Sequence, residues 1–253
     1  MKKIFQDLSS GNTLILDAPV PNISENSLKI LSKVSLISSG TERSLVEFGK
    51  GSYIDKARQQ PEKVKQVLDK LKTDGISATY DSVKSKLQEP LPLGYSNVGI
   101  IEEMSSDIEG FKLGDRVVSN GPHSDVVVVS KNLCARIPQN VDDESAAFTV
   151  VGSIALQSIR LAQPTLGESF VVMGAGLIGL LTIQLLKANG CRVLAVDLDK
   201  ERLSLAKKFG AEICNPSSGD DLISQSKEFS REKGVDGVII AASSNSNDLI
   251  SQS

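Results

Sequence analysis

The sequence predicts an α/β chain of two consecutive parts. Residues 1–150 read as a β-rich part, and residues 151–253 as alternating strands and helices on a parallel sheet. Three observations carry this reading. Short aliphatic and β-branched runs, punctuated by Gly and Pro, fill the first part. From about Thr149 onward, apolar strand-like runs alternate with helix patterns, the signature of βαβ units. A glycine-rich turn, Gly174-Ala175-Gly176-Leu177-Ile178-Gly179, joins the first such strand to the first such helix.

In the β-rich part, residues 13–16 and 28–37 have strand composition and flank a turn-forming region. Residues 97–102, 115–119 and 125–129 follow as short strands, separated by Gly110, Gly114 and Gly121-Pro122. Such strands suggest a small barrel or a partly open sandwich. Two helices interrupt them. Pro61 opens the first at the position that tolerates a missing N–H, and Val64, Val67, Leu68 and Leu71 then recur with helical spacing until Asp74-Gly75. Ile76, Tyr80, Val83 and Leu87 mark the second, which ends at Pro90. The lysines of the first helix are read as a solvated face, with an anion-binding stripe as the alternative.

In the second part, residues 170–173, 192–197, 211–214 and 235–241 read as strands. Residues 177–188, 200–209 and 220–233 read as the helices between them.

Composition narrows the function classes. The chain is 40% hydrophobic and 23% charged, with a net charge of -3, which leaves no global electrostatic reason to bind nucleic acid or an anionic membrane. The longest apolar stretch, residues 170–186, is broken by glycines and is shorter than the roughly 20 residues a membrane helix needs. No membrane segment is expected. Cys134, Cys191 and Cys214 form no C-x-x-C pair, and His123 is the single histidine, so no Cys/His zinc cluster is expected. The three thiols read as small buried hydrophobes. Reduced thiols and a start that turns polar before any signal-peptide core point to the cytoplasm.

The glycine turn carries chemistry through its placement. G-x-G-x-x-G follows a strand and opens a helix, and Asp197 ends the next strand about 20 residues on, where a dinucleotide fold places its ribose-binding carboxylate. Gly174 permits the tight turn, Gly176 lets backbone approach a pyrophosphate, and Gly179 allows the helix to pack on the strand. The N–H groups and positive dipole at the helix start, around Leu177 and Ile178, face the phosphates. Asp197 accepts from ribose hydroxyls and repels a 2′-phosphate, which favours NAD over NADP. Asp199 is the competing acid, and can equally cap the helix beginning at Lys200.

A β-rich part feeding such a fold resembles the medium-chain dehydrogenase/reductase family, the alcohol dehydrogenase-like enzymes with a GroES-like catalytic domain followed by a Rossmann domain. The residues carrying the resemblance are Ser39-Gly40-Thr41-Glu42, the run from Leu93 through Tyr95 to Gly99, Gly114-Asp115-Arg116-Val117, the glycine motif and Asp197. Ser38 through Glu42, the helical insertion after it and the run from Ile154 to Ser158 more narrowly resemble bacterial two-part oxidoreductases. In those, a zinc-lacking dehydrogenase of this family is fused to a glucose–fructose-oxidoreductase-like domain. The resemblance implies a sheet truncated at its C-terminal side, an incomplete nicotinamide half, and either a homo-oligomer or a missing C-terminal domain.

The departures from the family pattern set the remaining expectations. Where zinc-dependent members carry a ligand Cys this chain has Ser39, and their ligand His and neighbouring Glu become Tyr95 and Ser96. The third ligand position falls near Val150, so no zinc is expected. The resemblance makes Thr41 the hydroxyl that bonds the substrate oxygen, and puts the O–H of Tyr95 at the former ligand site. Tyr95 is read two ways, as a substrate-facing donor or as a packing aromatic. Glu42 reads as a structural acceptor. His123 reads as a surface histidine on a loop, with general acid/base chemistry as the alternative. The implied function is zinc-independent hydride transfer between NAD(H) and an alcohol or carbonyl group of a small molecule, with a sugar or sugar nucleotide as one substrate class. The alternatives are a nucleotide-binding fragment without turnover and a quinone or enoyl reductase.

Overall fold

The computed structural model describes residues 1–62 and 89–242, together with 64, 65, 67, 69, 83 and 85. It divides into two compact units, Met1–Val150 and Val151–Ser253.

Unit 1 holds two antiparallel sheets. In the smaller, β1 (Lys2–Gln6) pairs β2 (Thr13–Asp17) on one side and the short β4 (Leu91–Pro92) on the other. The larger sheet runs β7-β3-β5-β6-β8 and consists of β3 (Ser27–Ser35), β5 (Asn97–Met104), β6 (Arg116–Ser119), β7 (Val126–Ser130) and β8 (Cys134–Arg136). Alternation along these strands sorts their side chains. Leu28, Ile30, Ile101, Val117, Val127 and Val129 bury into one cluster. Val98 and Val118 face a second cluster with Ala146 and Ala147 at the end of α3 (Asp143–Ala146). Arg116 fastens that helix to β6, donating to Asp143 Oδ1 at 2.6 Å and to the Val141 carbonyl at 2.8 Å.

Among the elements of this unit that lie outside the sequence expectations are β1, β4, α1 (Thr41–Lys50), α2 (Tyr53–Gln59) and α3. β1 is concealed by Lys2 and Lys3, which precede its apolar pair Ile4 and Phe5. α2 is set by Ser52 and Asp55, which form a reciprocal capping box. Pro61 and residues 62, 64, 65, 67 and 69 are helical. Leu68 and Leu71 of the expected first helix lie outside the described residues, as do Ile76, Tyr80 and Leu87 of the second.

Unit 2 is led by α4 (Thr149–Ala162), which begins at the boundary between the units. It then alternates β9 (Ser169–Met173), α5 (Leu177–Ala188), β10 (Arg192–Val196), α6 (Lys200–Lys208), β11 (Glu212–Cys214), α7 (Leu222–Phe229) and β12 (Gly237–Ile240). The strands form one parallel sheet in the order β11-β10-β9-β12. β9 is central and buried at all five positions, as a strand covered on both faces must be. Phe170, Val172, Val193 and Ala195 pack against Ile183 and Leu186 of α5 and Leu203 of α6. Val171, Met173, Leu194 and Val196 pack against Leu222 and Phe229 of α7. The last helix is shorter than the expected 220–233, because Arg231 and Glu232 take left-handed φ values of 56° and 62°. Among the described residues no helix is long and apolar enough to cross a membrane.

Candidate functional site

In unit 2 the glycine turn is built as its spacing demands. Gly174 has φ +98°, a conformation that disfavours any side chain. A β-carbon on Gly179 would overlap the Gly174 carbonyl oxygen, so α5 can reach β9 this closely only with glycine there. Gly176 is the N-cap of α5 and donates no side-chain cap, and a β-carbon built on it meets nothing within 4 Å. The start of α5 thus offers backbone N–H groups beside open space, the chemistry of a phosphate cradle.

Asp197 lies beside this turn with its side chain 11% exposed. Its Oδ2 accepts the Ala175 backbone N–H at 2.7 Å, and its Oδ1 accepts that of Asp199 at 2.9 Å. Arg202 stands 3.9 Å from the same carboxylate. Asp199 has the other role open to it: its carboxylate accepts from the N–H groups of Glu201 and Arg202 and caps α6. Gly174, Gly176, Leu177, Ile178, Gly179 and Asp197 therefore come together around one turn.

In unit 1 Tyr95 and Thr41 also meet. The Tyr95 hydroxyl donates to Ser38 Oγ at 2.6 Å and lies 3.4 Å from Thr41 Oγ1. Thr41 is exposed, Tyr95 half-buried and Ser38 buried. His123 is not a surface residue. It is 6% exposed, with Nδ1 2.8 Å from Ser35 Oγ and Nε2 2.9 Å from Glu42 Oε2. The reason is the loop's path: the His123 backbone N–H donates to Leu93 at 2.8 Å and its carbonyl accepts from Ile4 at 3.0 Å, which draws the ring inward. Glu42 is an acceptor, as its position after Thr41 suggests, and also takes the Ser38 backbone N–H at 2.8 Å. Sequence reasoning missed Ser35 and Ser38 as partners, since those contacts join residues far apart in the chain.

Burial pushes the Cys134 thiol up to about 11. Burial, aided by the carboxylates of Asp220 and Asp221, does the same to Cys214, to about 11. Such thiols are poor nucleophiles and poor metal ligands.

The fold is that of the alcohol dehydrogenase-like medium-chain dehydrogenases/reductases, with a GroES-like and a Rossmann unit. Residues 178–252 match the family model described as zinc-binding dehydrogenase. The chain is 29% identical over 167 residues to (R,R)-butanediol dehydrogenase of Bacillus subtilis, a match covering 55% of this chain and 48% of that protein. It is 32% identical over 151 residues to D-guloside 3-dehydrogenase of Escherichia coli, covering 58% and 43% respectively. Among solved structures, alcohol dehydrogenase TADH from Thermus sp. ATN1 superposes with a TM-score of 0.76 at 18% identity, covering 99% of this chain and 72% of that one. The chain spans about half the length of the curated relatives it matches.

These matches correct the expectation of a family branch without zinc, because the matched family is described by zinc binding. The local donor set does not itself form a zinc site. Among the described residues no three His, Cys, Asp or Glu side chains gather at one point, and Ser39, Tyr95 and Ser96 offer neutral hydroxyls.

Proposed function

We propose that this chain supplies the nucleotide-binding turn and the substrate-facing hydroxyls of an NAD-linked dehydrogenase acting on an alcohol or carbonyl group of a small, polyhydroxylated molecule. The observation that carries the reading is the open, uncapped start of α5 beside the Asp197 carboxylate. The backbone N–H groups after Gly176 hold a pyrophosphate, and Asp197 receives the adenosine ribose hydroxyls. Its charge disfavours a 2′-phosphate, which supports NAD over NADP. Bound NAD supplies the acceptor for the hydride leaving the alcohol carbon. Thr41 and Tyr95 hydrogen-bond the substrate oxygen, and the alcohol proton passes to solvent water as the carbonyl forms and the hydride leaves. The relatives named for butanediol and guloside dehydrogenation support the substrate class.

A fluorescence titration with NADH, followed by nicotinamide absorbance with a panel of alcohols, polyols and sugars, tests the reading. Binding with turnover of at least one polyol is the expected result. Failure to bind NADH overturns it. Binding without turnover favours a second reading, nucleotide binding alone, which the open start of α5 beside Asp197 supports equally.

A further inference from the structure

From this geometry we infer that His123 and Glu42 are positioning residues, which lock the segments carrying Tyr95 and Thr41 so that the two hydroxyls face one point. The inference rests on the reading of those hydroxyls as substrate-facing groups. Glu42 is 6% exposed, and a buried carboxylate needs polar partners. It has two: His123 Nε2 at 2.9 Å and the Ser38 backbone N–H at 2.8 Å. With the Nε2 hydrogen directed to Glu42, Nδ1 is free to accept from the Ser35 hydroxyl at 2.8 Å. Both ring nitrogens are thereby engaged, and the ring does not reach a ligand as an acid or base.

The same histidine grips the neighbouring segment. Its N–H donates to the Leu93 carbonyl at 2.8 Å. Its ring fills the space where Gly94 lacks a side chain: a β-carbon there would stand 2.7 Å from the ring's Cγ and Cδ2, and φ is +90°. Tyr95 follows directly. On the opposite side Glu42 holds Ser38 through the backbone, and Ser38 Oγ accepts the Tyr95 hydroxyl at 2.6 Å. Thr41 precedes Glu42 at the start of α1. One buried pair therefore sets both ends of the hydroxyl cluster.

The single histidine makes the test direct. In protein labelled with 15N-histidine, the spectrum should show one imidazole with its proton on Nε2 and an unprotonated, hydrogen-bonded Nδ1. In Glu42→Gln, the carboxamide still accepts from Ser38, but its NH2 group faces Nε2. The proton then moves to Nδ1 and the two nitrogen signals exchange character. Glu42→Gln and His123→Gln should each shift the 13Cζ signal of Tyr95, assigned through Tyr95→Phe. They should also lower kcat about 10-fold or more while leaving NADH affinity unchanged. In a Tyr95→Phe background Glu42→Gln should cost clearly less than it does alone, the remainder acting through Thr41. An Nδ1–H tautomer in the unsubstituted protein, an unmoved Tyr95 signal, or full additivity with Tyr95→Phe each overturns the inference. The two spectroscopic readouts need no turnover, so they separate failure of this inference from failure of the proposed reaction.

Discussion

Gly179 stands against the carbonyl oxygen of Gly174 with no room for a β-carbon between them. The contact joins the first turn of α5 to the end of β9, and so fixes where the helix's free N–H groups point. Gly179→Ala has to displace backbone on one side or the other. It should destabilise unit 2 by about 1–3 kcal/mol and weaken NADH binding. Thermal unfolding and a fluorescence titration of the same variant check both effects.

Asp197 and Asp199 are separable by substitution. Asp197→Ser removes the charge proposed to exclude a 2′-phosphate, and leaves Arg202 without one of its two carboxylate neighbours. The ratio of NADH to NADPH dissociation constants should move toward NADPH by about tenfold or more, the scale of a lost charged hydrogen bond. Asp199→Ala removes the α6 cap and should cost about 1 kcal/mol of stability while leaving that ratio where it was. Paired titrations with the two cofactors decide the assignment.

Arg116 is a fork, not merely a charge. Its Nε and one terminal nitrogen both reach Asp143 Oδ1, and that terminal nitrogen also reaches the Val141 carbonyl. Lysine keeps the charge and loses the planar geometry. Arg116→Lys should lower stability by about 1 kcal/mol, a modest loss because both side chains are about one-third exposed. Urea unfolding measures it.

The thiols predict a pH dependence. Cys134 and Cys214 are each pushed up to about 11 in the folded chain, above the ordinary thiol range. The stability they contribute is fully present below that range and is lost as pH climbs through it toward about 11. Alkylation by iodoacetamide should be slow at about pH 8 and accelerate steeply above about pH 10. Rapid labelling of either cysteine at pH 8 contradicts this picture.

Legibility in the sequence followed the range of the interactions. The run from Phe170 through the glycine turn into α5 could be read because strand, turn and helix are contiguous, and each glycine answers a local demand. Asp197 could be read for the same reason, its position following from strand length. The lysines at the start of β1 concealed a strand whose stability comes from β2 and from the distant β4. The Tyr95–Thr41 pairing followed from resemblance to a family pattern, not from local chemistry. The burial of His123 was illegible, because its partner Glu42 lies 81 positions away and nothing around Gly121-Pro122 announces a carboxylate.

The start of α5 carries one more consequence. Its neighbours α6 and α7 are each closed by an aspartate side chain, whereas α5 begins on a bare glycine. A cap at that point would satisfy the same donors that a phosphate needs, so the uncapped start forgoes folding stability and leaves those donors open to a ligand. On the proposed function a nucleotide completes the helix, and a ligand that binds only the folded unit raises its melting temperature as ligand concentration climbs above the dissociation constant. On that reading, the stability of this unit depends on the dinucleotide around it as much as on the chain.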